Sequence, residues 1–272
     1  MQKNTNKLWS WMGVLWMVLW SVGLAQGALV DGLQSYWGFE DGSGITLTDA
    51  MNKNDGTLVN GPVWSTGGKQ GGCLTFDGYN DYVQVLNPDV PVGGSVRTIA
   101  GWFNQDVAGG DRVFLTYGQR VLHELVSMEL IWGGIHFASH SDDVHKDGYP
   151  TAGTWHLYAT TFNGTTVTVY MDNVCVGSRD IPLNTINYDA GLLIGAHVEV
   201  PGNNNYFWHW NGKIDEVGIW NRALNTEELS ALWNNGSGVT LVPVPEPATL
   251  SLLALALGGL SLTRRGRRGA RQ

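Results

Sequence analysis

The chain has 272 residues, of which 15% are charged, and it is rich in glycine (37) and tryptophan (13). Between residues 28 and 243, nine Lys and Arg stand against 23 Asp and Glu, a net charge of −14. This balance argues against nucleic-acid binding, since Lys and Arg must neutralise the phosphates. It favours solubility outside the cell and the binding of divalent cations.

Residues 1–27 predict a secretory signal peptide. Lys3 and Lys7 precede an apolar run that ends at Ala25, where small residues offer a cleavage site. A basic segment, an apolar segment and a small-residue exit together form the substrate of signal peptidase. The alternative is an uncleaved N-terminal anchor.

Residues 28–240 are expected to form one domain, which is long enough to bury a substantial core. Short runs of β-branched and aromatic residues recur between Gly-rich and Asn-rich turns. Many short strands at this spacing are typical of a two-sheet sandwich or a barrel. The predicted strands are 82–85, 98–103, 157–162, 166–171 and 192–195.

Two hairpin turns are readable within this pattern. Asn163-Gly164 separates two β-branched runs, and Asp172-Asn173 turns the second run back. Asn, Asp and Gly tolerate the positive φ that tight hairpin turns require. The two turns therefore predict consecutive antiparallel pairs.

One helix is predicted, over residues 225–233. Asn225 can cap its first turn, and Glu228, three residues further on, completes a capping box. The apolar residues that share one helical face are Leu229, Leu232 and Trp233.

The last segment, residues 241–272, differs in composition from the domain before it. Pro245-Glu246-Pro247 precedes sixteen nearly uncharged residues, 248–263, and then an Arg cluster. As a helix the uncharged stretch would span ~24 Å, a marginal fit to a hydrocarbon core of ~30 Å. The positive-inside bias places the basic end in the cytoplasm: Arg264, Arg265, Arg267, Arg268 and Arg271.

This order of motif, apolar helix and basic end resembles the PEP-CTERM sorting signal. The resemblance implies an exported protein whose tail an exosortase recognises and cuts near residues 245–247. It also implies an association with exopolysaccharide and biofilm. Until it is processed, the protein would be held at the membrane by the helix; a permanent membrane anchor is the alternative.

A series of short motifs forms an ordered pattern between residues 36 and 224. In sequence they are 36–44, 55–58, 71–78 with 81–83, Trp155-His156, 169–173, 211–217 and 220–224. The series resembles LamG-like jellyroll domains of the concanavalin A-like superfamily, over residues 28–235. The resemblance implies two facing antiparallel sheets, with the last long strand, near 214–220, close to the first. It does not determine a ligand, because lectins, enzymes and structural modules share this fold.

A structural calcium ion beside the first and last strands is a further implication of the resemblance. Ca²⁺ takes several carboxylate and carbonyl oxygens. Asp215 is the first candidate, because its Gly-Lys-Ile-Asp-Glu segment matches the family best. The further candidates are Asp77 with its turn, and Asp41 or Asp49. The alternative is that Asp77 and Asp81 cap turns while Asp215 accepts backbone hydrogen bonds.

Cys73 and Cys175 are the only cysteines of the chain. Outside the cytoplasm two thiols tend to oxidise, which predicts a disulfide. It would close a loop of about 100 residues and stabilise the fold by about 4–5 kcal/mol in the chain-entropy model. The alternative is two buried free thiols, since both positions are usually small or apolar in the family.

Residues 124–129 are the segment most typical of an enzyme. They resemble the Glu-x-Asp-x-x-Glu segment of laminarinase-like glycoside hydrolases, in which the first Glu is the nucleophile and the last the acid/base. Retaining hydrolysis needs the two carboxyl groups about 5–5.5 Å apart. Here Val126 replaces the Asp, and in a regular strand Glu124 and Glu129 point to opposite faces. We therefore interpret both as solvent-facing residues of a strand.

Three histidines lie around two aspartates in a polar stretch. The residues are His136, His140 and His145, with Asp142-Asp143 between them. Imidazoles and carboxylates can bind zinc. No helix places two of the imidazoles on one face, and so the stretch is interpreted as a solvated loop, with zinc or a ligand contact as the alternative.

Trp208 and Trp210 follow an Asn-rich loop at 202–205. Exposed indoles stack on sugar rings, but two aromatic residues on one face of a strand are also a core pattern. The core interpretation is favoured, because buried aromatic residues dominate sheet packing.

Together these features predict an exported, non-enzymatic all-β protein. Its expected role is to bind carbohydrate or another extracellular polymer at the cell surface or in the biofilm matrix. A structural or adhesive module that contacts matrix proteins is the first alternative, and a laminarinase-like hydrolase is the second. The sequence contains no phosphate-cradling glycine loop and no nucleophile-elbow serine.

Overall fold

The short alternating runs of the sequence form two antiparallel sheets that pack face to face. The computed structural model describes residues 28–198 and 206–241. The chain divides into two units, Met1–Leu241 and Val242–Gln272, and the described residues belong to the first. The predicted all-β sandwich with a short helix near its C-terminal end is confirmed.

Sheet 1 contains the first and last long strands of the domain. Its strands are β1 (Leu33–Trp37), β4 (Val63–Thr66), β5 (Gly72–Asp77), β7 (Arg97–Gln105), β12 (His156–Phe162), β13 (Thr166–Met171), β14 (Val174–Asp180) and β18 (Asn211–Trp220). Their order across the sheet is β14-β13-β12-β7-β18-β5-β4, and β1 also pairs with β18. The pairing of β1 with β18 is the one that the family resemblance implied.

Sheet 2 packs against sheet 1. Its strands are β2 (Thr46–Leu47), β3 (Gly56–Val59), β6 (Tyr82–Val85), β8 (Arg112–Gly118), β9 (Leu125–Ile131), β10 (Gly134–Ala138), β11 (Val144–Asp147) and β15 (Leu192–Ile194). Their order is β11-β10-β9-β8-β15-β6-β3-β2, which leaves β11 at one edge. A separate short pair, β16 (His197–Val198) and β17 (Tyr206–Phe207), follows β15 in the chain.

Both predicted hairpin turns are confirmed. The Asn163-Gly164 segment joins β12 to β13, and Asp172-Asn173 joins β13 to β14. Asp172 and Asn173 have φ of 52° and 64°, the positive values of a two-residue turn. The turn chemistry therefore predicted the local pairing correctly.

The main core follows the period-two alternation of the strands. Ile99 and Phe103 of β7 and Met128 and Leu130 of β9 all belong to the apolar cluster between the sheets. Every residue of β9 is nevertheless buried, and so its outer face must be covered as well. That outer face carries the candidate functional site.

Helix α1 (Thr226–Trp233) covers the outer face of sheet 1. Asn225 is its N-cap and forms the predicted capping box with Glu228. Leu229 and Leu232 join a second apolar cluster that includes Trp102 of β7. Trp102 also stacks against Trp233, with ring centroids 5.2 Å apart. The second cluster explains why β7 is buried on both faces.

Candidate functional site

A row of three titratable side chains crosses the outer face of sheet 2. Glu129 on β9 pairs in register with His136 on β10, and His136 pairs with His145 on β11. Residues directly opposite each other in antiparallel strands share a face, with Cβ atoms about 4.5–5.5 Å apart. The registers of three adjacent strands therefore bring the row together.

The Trp132-Gly133 turn sets the register of this row. Its two residues have φ of 51° and 86°, as a two-residue hairpin turn requires. The turn makes Ile131 the partner of Gly134, and the same register makes Glu129 the partner of His136. Asp111 accepts a hydrogen bond of 3.2 Å from the Trp132 N–H, which ties the turn to the segment just before β8.

Glu129 is almost completely buried on this face, with 1% of its surface exposed. Its Oε1 atom lies 3.7 Å from Nε2 of His197 on β16. Burial raises the pKa of Glu129 to about 7, although the charge of His136 opposes the shift. A carboxyl group in this state exchanges its proton near neutral pH.

His136 and His145 face each other through their Nδ1 atoms, which lie 3.3 Å apart. The other ring nitrogen of each histidine lies near a carboxylate. Nε2 of His136 is 3.5 Å from Asp143 Oδ2, and Nε2 of His145 is 3.3 Å from Asp147 Oδ1. The interpretation of this stretch as a solvated loop is wrong for both histidines, because each lies on a strand; His140 lies in the connection between the strands.

Trp132 presents an indole ring to solvent beside the row. Its surface is 64% exposed, and its ring centroid lies 4.8 Å from that of His136 in an edge-on arrangement. Exposed indoles provide a large flat apolar surface with one polar N–H. The site therefore combines an aromatic platform with carboxylates and imidazoles.

Trp208 and Trp210 are separated by the fold. Trp210 is fully buried in the main core. Trp208 has φ 54°, is half-buried, and packs edge-on against His197. The core interpretation is correct for Trp210 and wrong for Trp208, since β18 begins only at Asn211 and the two do not share a strand.

Three of the four aspartates predicted as calcium ligands accept hydrogen bonds that hold turns together. Asp49 is buried and accepts four backbone N–H groups, while Asp41 and Asp77 accept hydrogen bonds from their own loops. Their donors are residues Tyr36, Met51, Lys53 and Asn54 for Asp49, Thr48 for Asp41, and Tyr79 and Asn80 for Asp77. In the part of the chain that the structure describes, no group of three or more His, Cys, Asp or Glu side chains is arranged to hold a metal ion.

Asp215 lies elsewhere, opposite a carboxylate that the sequence interpretation missed. Its Oδ2 accepts the Gln70 N–H at 3.0 Å, and Glu40 Oε1 accepts the Gly72 N–H at 2.9 Å. Both carboxylates thus reach the turn between β4 and β5. Burial raises the pKa of Asp215 to about 7, and the charge of Glu40 raises it further against the backbone N–H groups that lower it.

The glycines of this turn leave room for oxygen atoms to converge. A Cβ added at Gly68 would lie 2.7 Å from Asp215 Oδ2, and one added at Gly72 would lie 2.7 Å from the carbonyl oxygen of Phe39. The surroundings hold two carboxylates and backbone carbonyls, which is the donor set that Ca²⁺ prefers. Asp215 and Glu40, with these carbonyls, therefore offer a donor set of the kind that calcium binds.

The predicted Cys73–Cys175 disulfide is absent, and both thiols are free. Cys73 is buried on β5 and Cys175 is exposed on β14, with four strands of sheet 1 between them. Five strand spacings amount to about 24 Å, whereas a disulfide needs Cα atoms about 4.4–6.8 Å apart. Since one thiol is exposed, the alternative of two buried thiols holds only for Cys73.

A family model covers most of the two sheets. The Laminin_G_3 model, described as the concanavalin A-like lectin/glucanases superfamily, matches residues 77–230, which is more than half of the chain. This chain belongs to the concanavalin A-like lectin/glucanases superfamily. The resemblance found in the sequence is thereby confirmed.

Solved structures with a similar fold include one domain of an arabinanase and two toxin binding domains. Domain 4 of AbnA, a GH43 extracellular arabinanase from Geobacillus stearothermophilus, in complex with arabinotriose, has a TM-score of 0.58 at 17% identity, covering 73% of this chain and 96% of that one. The binding domain of Paraclostridial Mosquitocidal Protein 1 has a TM-score of 0.58 at 18% identity, and the match covers 76% of this chain and 53% of that one. The ligand binding domain of botulinum neurotoxin serotype D, in complex with N-acetylneuraminic acid, has a TM-score of 0.59 at 12% identity, covering 78% and 52%.

The chain spans about half the length of the two toxin structures. At these identities the likeness of this concanavalin A-like domain to the three structures shows the fold alone. A sialidase from Trypanosoma rangeli in complex with sialic acid has a related fold, with a TM-score of 0.56 at 14% identity over 77% of this chain and 34% of that one. No curated protein matches the chain.

The PEP-CTERM protein-sorting motif matches residues 243–268. It marks this superfamily member as an exported protein that is sorted at the cell envelope, and it implies processing by an exosortase. The predicted signal peptide, Pro245-Glu246-Pro247, the predicted apolar helix and the Arg cluster lie outside the described residues. Within the residues described, no helix is long and apolar enough to cross a membrane.

The hydrolase-like segment does not bring its two glutamates together on one face. Glu124 lies one residue before β9 and Glu129 is its fifth residue, so the two have opposite parity along the chain. Glu129 is buried, which corrects the interpretation that both glutamates face solvent. Glu124 is half-buried at the end of the strand.

Proposed function

We propose that this protein binds a carbohydrate polymer outside the cell, through the outer face of sheet 2 around Trp132. The observation that supports this most directly is the exposed Trp132 ring, held on a tight turn next to His136, His145 and Asp147. Sugar rings offer apolar C–H faces to an indole and hydroxyl groups to imidazoles and carboxylates. A rigid turn lowers the entropy that binding costs.

The lectin-like fold supports a binding role. The structure of AbnA domain 4 contains arabinotriose, and that of the botulinum toxin domain contains N-acetylneuraminic acid. The PEP-CTERM motif, which indicates export and sorting at the envelope, supports a polysaccharide as the ligand. Binding without hydrolysis is favoured, since Glu124 and Glu129 do not share a face.

Glycan-array binding of the purified protein, followed by calorimetry with the best glycan, tests this proposal. We expect Trp132→Ala to weaken binding by about 1–3 kcal/mol, the usual contribution of a buried aromatic anchor. Tyr79→Ala is the matched control, since Tyr79 is also exposed (79%) but lies on the β5–β6 turn, away from the row. If Trp132→Ala binds the glycan as tightly as Tyr79→Ala does, the glycan does not bind at the Trp132 turn. Binding to matrix proteins without any glycan signal would support the adhesive alternative.

We also propose that Ca²⁺ binds between Glu40 and Asp215, with backbone carbonyls of the adjacent segments. A hard cation would neutralise two carboxylates that lie near each other and one of which is buried. The ion would tie the segment after β1 to β18 and to the β4–β5 turn, and its role would be structural. The distance of this place from the Trp132 turn makes it independent of the proposed carbohydrate site.

For localisation we propose a protein held briefly at the membrane and then displayed at the cell surface or released into the matrix. The motif at 243–268 supports this order of events. Intact mass of the protein recovered from the cell surface or medium tests it. We expect the mass of a chain that ends near residue 247. The mass of a chain that still contains the Arg cluster would indicate a permanent anchor.

A further inference from the structure

We infer that His136 and His145 form a two-imidazole site for a late first-row divalent metal ion, with Cu²⁺ bound most tightly. The site lies on adjacent strands β10 and β11, where the two residues are direct register partners. It does not depend on the proposed carbohydrate binding, and it differs from the calcium proposal in both place and donor chemistry.

The geometry of the two rings matches shared coordination. Their Nδ1 atoms lie 3.3 Å apart. Two imidazole nitrogens bound to one ion at about 2.0–2.1 Å are about 2.9 Å apart in a square-planar site and about 3.3 Å apart in a tetrahedral one, so only a small movement of the exposed His145 ring is needed for Cu²⁺. The ring centroids are 5.5 Å apart and the rings are inclined by 56°.

A carboxylate lies near the second ring nitrogen of each histidine. Nε2 of His136 lies 3.5 Å from Asp143 Oδ2, and Nε2 of His145 lies 3.3 Å from Asp147 Oδ1. A carboxylate behind a ligating imidazole determines its tautomer and increases its basicity. Two histidine–carboxylate pairs therefore flank the Nδ1–Nδ1 contact, an arrangement that suits two metal-ligating imidazoles.

The surroundings favour a cation and allow its entry. Asp143 and Asp147 place carboxylates beside the two rings. His136 is buried, but the side chain of His145 is 32% exposed on the edge strand β11. An ion can therefore approach from the edge of the sheet, with water completing its coordination.

The nature of the donors selects the metal. Neutral imidazoles suit Zn²⁺, Ni²⁺ and Cu²⁺, and the affinity of nitrogen sites rises toward Cu²⁺. With only two protein ligands, Cu²⁺ is the ion expected to bind measurably. The competing interpretation of the contact is a single hydrogen bond between two neutral imidazoles, one acting as donor and the other as acceptor.

Titration of the purified, chelator-treated protein with Cu²⁺ decides between the two interpretations. The protein is made without a polyhistidine tag, and binding is followed by calorimetry and by quenching of indole fluorescence. Electron paramagnetic resonance should show nitrogen ligands in the bound state. We expect Cu²⁺ to bind at one site and to quench the indole fluorescence. Most of this quenching should be lost in Trp132→Phe, because the Trp132 ring lies beside His136.

Exposed residues supply variants that should keep the fold intact. We expect His145→Asn to abolish this site, and Asp147→Asn to weaken it by about 10–100-fold, as the loss of a carboxylate partner does. His140→Asn, in the same connection between β10 and β11, is the matched control and should bind like the parent protein. Equal binding by the parent, His145→Asn and Asp147→Asn, or no binding to a correctly folded parent, would overturn the proposal in favour of the hydrogen bond.

Discussion

The Nδ1 atom of His156 and the Oδ2 atom of Asp172 lie 2.6 Å apart, and they join the first residue of β12 to the β13–β14 turn. Asp172 Oδ1 also accepts the Leu157 N–H at 2.9 Å. On the other side of the ring, His156 Nε2 lies 3.0 Å from the carbonyl oxygen of Thr151. One imidazole thus holds a hairpin turn and a loop to the end of the central strands.

This pair should make stability depend on pH. Burial lowers the pKa of His156, but the hydrogen bond and the charge of Asp172 raise it by more, so that the pKa lies above its usual value. A raised folded-state pKa contributes stability that is complete below the unfolded pKa, about 6.5, and is lost as pH rises through the folded value. We expect Asp172→Asn to lower the free energy of unfolding by about 1–2 kcal/mol at pH 6 and by much less at pH 9.

Urea unfolding at the two pH values measures this difference. Asp147→Asn is the control, because Asp147 also pairs with a histidine but its side chain is 95% exposed. The control should change stability little at either pH. An effect of Asp172→Asn that is the same at pH 6 and pH 9 would contradict the role of the His156 charge.

The two cysteines should differ sharply in reactivity. Cys175 is exposed, whereas Cys73 is buried and its burial raises its pKa to about 11. Because the thiolate is the reactive form, we expect a thiol reagent to label only Cys175 in the folded protein and both thiols after unfolding. Intact mass after labelling, with and without prior reduction, checks this. If neither thiol is labelled until the protein is reduced, the two cysteines form a disulfide after all.

Arg97 should be essential to the fold although no carboxylate pairs with it among the described residues. It is buried, and its guanidinium donates to three loop carbonyls and two hydroxyl groups: those of Ser95, Pro91, Gly93, Tyr117 and Thr185. We expect Arg97→Met to cost about 3 kcal/mol or more, because the buried Pro91 carbonyl and the buried Tyr117 and Thr185 hydroxyls lose their charged donor. The surface Arg179→Met, which loses its pair with Asp142, should cost under about 1 kcal/mol in the same unfolding assay. Similar costs for the two would contradict this account.

Calcium should raise the melting temperature of the metal-free protein. At a Ca²⁺ concentration about 100 times the Kd, binding should increase the free energy of unfolding by about 2.7 kcal/mol. For a domain of this size, that raises the melting temperature by roughly 5–10 °C. We expect Asp215→Asn and Glu40→Gln to remove this shift, and Asp77→Asn to leave it unchanged. Differential scanning calorimetry with Ca²⁺ and with chelator makes the measurement. An unchanged shift in Asp215→Asn would place the ion elsewhere, and no shift in the parent protein would refute calcium binding.

Local elements were predicted well because their causes are local. The Asp172-Asn173 turn and the Asn225 cap depend on backbone preferences of a few adjacent residues. The alternation of the strands depends on the period of the β-strand. These effects act within about ten residues, and so the sequence pattern contains them.

The candidate site was not predicted, because it depends on the register of the three consecutive strands β9, β10 and β11. The Trp132-Gly133 turn, with its positive φ values, was the one signal that could have paired Glu129 with His136. No comparable local signal pairs His136 with His145. Glu40 was missed for the same reason: only the turn between β4 and β5 brings it toward Asp215.

The sequence by itself determined the C-terminal sorting motif, the superfamily and the two-sheet architecture, because each depends on composition, order of motifs or short-range backbone preference. Tertiary structure alone decided which titratable groups meet. It separated Cys73 from Cys175 by four strands, buried Glu129, and set the Nδ1 atoms of His136 and His145 3.3 Å apart. The physical reason is that strand order and register decide which side chains meet, and both result from packing of the whole sandwich, even for His136 and His145, which are only nine residues apart in the chain.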